Sequence, residues 1–295
     1  MKFAEITTSK KKEEFGMPKF FLKFPDFIIH WYLLHHPFYI QETNLENAKG
    51  YHVTIYQQAE NIEKLLWELQ QKEVDILLLY CDIAFPSIID ISYGNILHSL
   101  LVLEAAKKAI KRQSKTLQHS KFLIIDGKEN FMTNIVLDSL YPFVNYLSIY
   151  TERPEYFLQR AEEIYEEYGL RLELFSDTRL FQAFNIVINC SNDMENYDYK
   201  LQKNAFFFDV AQNKQKMQRL MARRNDLLLS NGLLLKWNKK TYLSKQIEAI
   251  LRITEHSFYQ FLQQDYHKET LIKITNLLQQ KEITVTALTC FEKRV

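Results

Sequence analysis

Glycine is scarce in this chain of 295 residues. There are six, at positions 16, 50, 94, 127, 169 and 232, where the usual frequency of about 7% would give roughly twenty. Little is left for flexible lids or for backbone cradles around phosphate, and each glycine is expected where the backbone demands one. Cysteine is sparse as well: Cys81, Cys190 and Cys290 are widely spaced and form no CxxC pair. This predicts buried free thiols in a reducing, cytoplasmic setting. No apolar run approaches the length that spans a bilayer, and Met1–Glu14 is too polar for a signal peptide. Charge of one sign is also missing. Lys and Arg number 37 against 36 Asp and Glu, a net charge of +1, so no global field favours nucleic acid or a membrane surface. We expect neither as a partner.

What is present is the balance of a globular protein, 47% hydrophobic and 25% charged, with 21 Phe and 17 Tyr to build a core. Residues 1–50 carry little periodicity. Phe20–Ile40 is rich in aromatics, is interrupted by Pro25 and Pro37, and reads as an irregular arm. From Tyr51 the pattern sharpens. His52–Tyr56 alternates as a strand, Glu60–Gln71 has helical spacing, and Val74–Tyr80 is an apolar run suited to a buried parallel strand. Asn95–Arg112 reads as one long helix, and Gln113–Ser120 as a linker. There is no internal repeat.

Lys121–Ala211 has the strongest rhythm. Phe122–Ile125, Tyr146–Tyr150, Leu170–Phe175, Phe184–Asn189 and Ala205–Val210 read as strands, and the first three are joined by helices. The helix that starts at Pro154 stops at Gly169, a left-handed C-terminal glycine. Strands joined in this way pair in parallel through right-handed crossovers. The expected fold class is α/β: a Rossmann-like doubly wound parallel sheet, a smaller N-terminal α/β domain and a helical C-terminal tail. The expected divisions are 1–112, 113–235 and 236–295. In the last of these, Leu243–Gln264 and Glu269–Gln280 read as helices and Ile283–Cys290 as a terminal strand.

Ligands of doubly wound sheets lie beyond the carboxyl ends of the strands. The turn after the first strand, Ile125-Asp126-Gly127-Lys128-Glu129-Asn130, keeps one glycine where G-x-G-x-x-G would let a backbone approach a pyrophosphate. It also places Asp126 and Glu129 near the phosphates. After the second strand, Glu152 could accept ribose hydroxyls and Arg153 could meet a 2′-phosphate; alternatively, Thr151 or Glu152 simply caps the Pro154 helix. Asn189, Ser191 and Asp209 follow or end the fourth and fifth strands, either as ligand contacts or as ordinary loop polarity. The candidate cofactor-binding set is therefore Asp126, Gly127, Glu152, Arg153, Asn189, Ser191 and Asp209, with NAD or NADP as the cofactor such a set would hold. No catalytic residue stands out, since Cys190 has no activating base beside it in the sequence. His30, His35 and His36 lack ligands at recognised metal spacing. Lys214–Arg224 reads as the solvated face of an amphipathic helix.

Three segments carry a family resemblance. Thr151–Gly169 (TERPEYFLQRAEEIYEEYG), Phe184–Ser191 (FNIVINCS) and Phe206–Ala211 (FFFDVA) resemble the nucleotide-binding domain of the shikimate dehydrogenase and glutamyl-tRNA reductase group. The resemblance covers about a third of the chain and implies a two-domain Rossmann-like protein. Asp82–Pro86 echoes the N-V-T-x-P segment of shikimate dehydrogenases, but Ile88 stands where that family has its catalytic lysine, so a lysine–aspartate proton relay does not carry over. Three readings stay open. One is a non-catalytic binding or regulatory protein with a degenerate nucleotide site, acting on a protein partner or as a homodimer. Another is an NAD(P)-dependent oxidoreductase with a divergent phosphate loop. The third is an enzyme of another class that uses the same strand-end cleft.

Overall fold

The structure is a computed structural model that describes residues 1–9, 11–17, 20–56, 62–81, 83, 85–86, 88–113, 115–127, 130–193 and 200–295. Lys128 and Glu129 of the expected cradle, Asp82 and Ala84 of the Asp82–Pro86 segment, and Glu60 at the expected helix start lie outside the described residues. The chain divides into two compact units. One comprises Met1–Tyr93 with Lys245–Tyr259, the other Gly94–Ser244 with Gln260–Val295.

The first unit contains β1 (Lys2–Ser9), α1 (Asp26–His35), β2 (Phe38–Leu45), β3 (Ala48–Tyr56), α2 (Ile62–Gln71), β4 (Val74–Leu79) and β5 (Asp90–Ile91). Its sheet runs β2-β3-β1-β4-β5. β1 is parallel to β3 and to β4, while β2 and β3 form an antiparallel hairpin. Ala4, Ile6, Val53 and Ile55 pack against Leu65 and Leu69 of α2. The segment expected to be an irregular arm contains a regular helix instead. Pro25, which reads as an interruption, stands at the N-cap of α1 with extended ψ, and Pro37 follows its end. A proline before the first turn is compatible with a helix because its missing N–H has no intrahelical acceptor there.

Gly50 of β3 lies opposite Phe3 of β1. A Cβ at this position would stand 2.5 Å from the Phe3 ring, which is fully buried. The only relief is displacement of a core aromatic. We expect Gly50→Ala to cost about 1–3 kcal/mol of stability, measured by urea unfolding, although alanine normally suits a strand better than glycine does.

The second unit contains α3 (Asn95–Leu100), α4 (Val102–Arg112), β6 (Lys121–Ile125), α5 (Asn130–Leu140), β7 (Tyr146–Tyr150), α6 (Glu155–Tyr168), β8 (Leu172–Phe175), β9 (Ile186–Asn189), β10 (Phe206–Asp209), α7 (Lys214–Arg223) and β11 (Leu228–Ser230). These are followed by β12 (Gly232–Trp237), β13 (Lys240–Leu243), α8 (Ser244–Thr254), α9 (His256–Gln263), α10 (Lys268–Gln280), β14 (Thr284–Cys290) and β15 (Lys293–Arg294), with Lys245–Tyr259 belonging to the first unit. The long helix expected over Asn95–Arg112 is divided at Leu101, whose ψ of 16° ends α3. α6 ends as expected at Gly169, with φ +68°.

The six-stranded sheet runs β11-β10-β9-β6-β7-β8 and every neighbour is parallel. Counted from β6 as the first strand this is the order 3-2-1-4-5-6, the doubly wound Rossmann arrangement. The short strand β11 completes it. A fully covered parallel sheet needs strands that are apolar on both faces, and β10, Phe206-Phe207-Phe208-Asp209, is buried at all four positions. Phe207 joins Leu123, Val187, Met217 and Leu220 on one face. Phe206 and Phe208 stack on each other on the other face, 5.8 Å apart. The expected terminal strand is β14, which pairs with β12 and β15 in a four-stranded antiparallel sheet ordered β13-β12-β14-β15.

Candidate functional site

The strand order reverses between β6 and β9, which makes the carboxyl ends of these two strands the topological switch point. Asp126, at the start of the turn after β6, is tied to residues that follow β7. Asp126 is 5% exposed and its carboxylate receives four donors. Arg153 Nε donates to Oδ2 at 2.9 Å and Nη2 to Oδ1 at 3.0 Å. The Thr151 hydroxyl donates at 2.9 Å and the Thr133 hydroxyl at 3.0 Å. Arg153 Nη2 also donates to the Gly127 carbonyl at 2.8 Å, and the Gly127 N–H donates to Thr133 Oγ1 at 3.1 Å. The single glycine of the turn therefore has both backbone groups engaged. The hydrogen bonds to Asp126 raise the pKa of Arg153 further above its ordinary range, and the guanidinium lies over the Tyr156 ring, 4.9 Å from its centre.

A second cluster lies at the ends of β9 and β10. Asn189 Nδ2 donates to Asp209 Oδ1 at 2.7 Å and to the Ser191 carbonyl at 2.9 Å. Lys216, in the first turn of α7, is fully buried and donates to Asp193 Oδ1 at 3.1 Å. Ser191 Oγ also donates to Asp193. Among the described residues, the buried Asp209 Oδ2 has no hydrogen-bond partner. Burial pushes the Asp209 carboxyl up to about 6, with the Asn189 amide and the Lys216 ammonium opposing the rise. Burial likewise lowers Lys216, against the attraction of Asp193. Cys190, buried behind the switch point, has its thiol pushed up first by desolvation and then by the Asp126 charge. A thiol raised in this way is a poor nucleophile.

His98 of α3 is a third buried polar group. Gln212 Nε2 lies 2.6 Å from the Asn231 carbonyl and 3.0 Å from His98 Nδ1. A carbonyl only accepts, so the facing atom of Gln212 is its N–H₂ and His98 Nδ1 is an acceptor. The proton therefore sits on Nε2, which donates to Ser244 Oγ at 2.5 Å. Burial lowers His98 to about 3.

The structure thus joins Asp126 to Gly127 and Arg153, and separately joins Asn189 to Asp209 and to the Ser191 backbone. Glu152 is exposed. Thr151 does not cap α6: its hydroxyl accepts the Arg153 N–H at 3.1 Å, and the N-cap position is Pro154. Thr133 and Lys216 escape the sequence reading. The signal for Lys216 was present, because it stands four residues before the core Leu220 and next to Met217, on the edge of the apolar stripe. Among the described residues, no three His, Cys, Asp or Glu side chains are placed to hold a metal ion. His30 instead hydrogen-bonds the Tyr56 hydroxyl and His35 the Trp31 carbonyl. No helix in the described residues is long and apolar enough to cross a membrane.

Among the described residues of the turn, the Gly127 N–H is taken by Thr133 and the Asp126 carboxylate is bound by the Arg153 guanidinium.

No protein-family model and no curated protein matches the chain. Among solved structures it is similar to shikimate 5-dehydrogenase from Listeria monocytogenes in complex with shikimate and NAD, at 8% identity and a TM-score of 0.35, over 77% of this chain and 86% of that one. It is similar to aspartate transcarbamoylase from Trypanosoma cruzi in complex with phosphate, at 7% identity and a TM-score of 0.33, over 77% and 76%. It is also similar to Δ1-pyrroline-2-carboxylate reductase from Thermococcus litoralis, at 14% identity and a TM-score of 0.29, over 42% and 40%. Likeness at this level says nothing about activity, and the Rossmann-like assignment rests on the strand order.

Proposed function

We propose that this protein is a non-catalytic binding or regulatory protein on a Rossmann-like scaffold whose dinucleotide cradle is closed by its own side chains. The observation that carries this reading is the bidentate Arg153–Asp126 pair with its third hydrogen bond to the Gly127 carbonyl. A pyrophosphate needs the turn's backbone donors and a positive end of the following helix. Here the Gly127 N–H serves Thr133, and admitting a phosphate beside Asp126 would set two negative groups together unless Arg153 left the carboxylate. Releasing Arg153 would strand a nearly buried carboxylate, an unfavourable change.

A second reading, an NAD(P)-dependent oxidoreductase with a divergent phosphate loop, is favoured by one observation. Glu152 is exposed directly after β7, the place from which an acidic residue reaches ribose hydroxyls in this fold. Thermal unfolding with millimolar NAD, NADP and their reduced forms separates the two. A cofactor at about a hundred times its dissociation constant stabilises by roughly 2.7 kcal/mol, a shift of several degrees. We expect no shift with any of the four. A shift with one of them, abolished by Glu152→Ala, would replace the first reading with the second.

A further inference from the structure

The amino ends of the six parallel strands form an edge with its own charge. The segments that build it, 111–121, 141–147, 169–171, 181–186, 201–205 and 223–228, contain eight Lys and Arg and one acid, Asp226. Arg224 holds that acid with two hydrogen bonds of 2.8 Å. The net charge of +1 describes the whole chain and conceals this edge. Three hydrogen bonds tie the segments together. Gln113 Nε2 donates to the Asn204 carbonyl at 2.8 Å, the Lys121 N–H to Asn185 Oδ1 at 2.8 Å, and Arg224 Nη2 to the Leu201 carbonyl at 3.1 Å. The dipole of α4 suits Lys111 and Arg112 in its last turn. It does not account for Lys115, Lys121 and Lys203, which lie outside the helices. Lys115, Lys121 and Arg171 have no ion pair among the described residues. On the β8 side, Glu173 accepts from Ser148 Oγ at 3.1 Å and Glu167 pairs with Lys268 at 3.2 Å. Glu166, exposed in the last turn of α6, limits the basic strip there.

Exposed rings stand among these cations. Lys121 opens β6 and Tyr146 opens β7, and the two are in register. Arg171 directly precedes the next cross-strand pair, Leu147 with Leu172. At about 4.8 Å between strands, cation, ring and cation fall within about 10 Å. Tyr146 is 52% exposed, and Phe143 is 56% exposed. At the β10 end, an open cavity of about 490 Å³ is lined by Gln182, Gln202 and Lys203 together with Leu201 and Arg224. We propose that this edge binds single-stranded nucleic acid. Lys115, Lys121, Arg171 and Lys203 meet phosphates, Tyr146 and Phe143 stack on bases, and the two glutamine amides offer donors and acceptors to a base edge. Cations alone would fit any polyanion. The rings between them select an occupant with unstacked flat faces, which a duplex does not offer and a single strand does. The strip lies at the opposite edge of the sheet from the Asp126 turn, so it goes beyond the closed-cradle reading and does not depend on it.

Fluorescence anisotropy of a labelled mixed-sequence DNA of about 20 nucleotides, titrated with the full chain at about 50 mM salt, tests the surface. We expect saturable binding of the single strand, at least tenfold tighter than of the same sequence as a blunt duplex. Affinity should fall as salt rises, with a logarithmic slope of about −0.7 for each phosphate contact. These two readings need no variant. Lys121→Gln combined with Arg171→Gln should weaken binding at least tenfold and flatten the slope by roughly 1.4. Tyr146→Ala should weaken binding about 5- to 150-fold, the worth of one stacked base, and leave the slope unchanged. Tyr146→Trp keeps a ring there and should bind like the wild type. Lys49→Glu, exposed on β3 of the first unit, should also bind like the wild type. No anisotropy change up to about 50 μM protein overturns the proposal, as does binding that both the glutamine pair and Tyr146→Ala leave intact. Displacement of the DNA by poly-glutamate at equal charge would assign the edge to an acidic protein and likewise overturn it.

Discussion

Arg153→Ala is expected to lower the unfolding free energy by about 3 kcal/mol in a urea titration, because it leaves a nearly buried carboxylate without its cation. Asp126 would keep two hydroxyl donors, from Thr133 and Thr151, but these are neutral and weaker than a charge-assisted pair. The same geometry sets the behaviour of two further variants. Arg153→Lys should recover little, since one ammonium cannot reproduce two parallel N–H donors to the carboxylate and a third to the Gly127 carbonyl. Asp126→Asn combined with Arg153→Ala should recover most of the loss, because the uncompensated charge is gone. This pattern separates a structural clamp from a ligand contact. A residue held in readiness for a 2′-phosphate would change binding when removed and barely change stability. If Arg153→Ala unfolds at the wild-type urea midpoint, the clamp is not a stabilising element and the closed-cradle reading loses its basis.

The sheet was readable in the sequence because parallel strands covered on both faces leave uninterrupted apolar runs. β6, β7, β9 and β10 were all expected within two residues of where they lie. β1 was not. It is the central strand of the first sheet, yet Glu5 and Thr7 alternate with buried Ala4 and Ile6, and the half-polar pattern behind an N-terminal lysine reads as a polar leader. β11 was missed for length, since three residues carry no period. The site shows a different limit. Asp126 and Arg153 were both singled out, but as separate contacts for a ligand rather than for each other. They stand 27 residues apart, and their meeting depends on the pairing of β6 with β7 in the register that sets Ile125 beside Tyr150. Sequence supplied which charges gather at the strand ends. Only the register determines which of them neutralise one another.

Two buried groups should make the acid stability of the second unit turn on single substitutions. His98 is lowered to about 3 from its ordinary 6.5. The unfolded chain therefore takes up a proton that the folded chain refuses, and stability that is complete above pH 6.5 is lost as pH falls toward 3. Between pH 6 and pH 4 this amounts to about 2.5 kcal/mol. Asp209 has the opposite sign. Its folded value of about 6 lies above the ordinary 3.8, so the folded chain holds a proton that the unfolded chain releases. Stability from this group falls as pH rises from 4 to 6, by about 2 kcal/mol. Over that interval the two nearly cancel in the wild-type protein. His98→Gln removes the acid-labile half, and its stability relative to wild type should climb by about 2.5 kcal/mol on going from pH 6 to pH 4. Asp209→Asn removes the other half, and its relative stability should fall by about 2 kcal/mol over the same interval. Each variant also has a constant offset, from lost contacts to Ser244 and Gln212 in one case and from an amide facing Lys216 in the other, so the slope is the quantity to measure. Urea midpoints at pH 4, 5 and 6 for the three proteins give it directly. Parallel lines would mean that neither group titrates between its folded and unfolded environments, and that the burial of His98 and Asp209 carries no pH-dependent free energy.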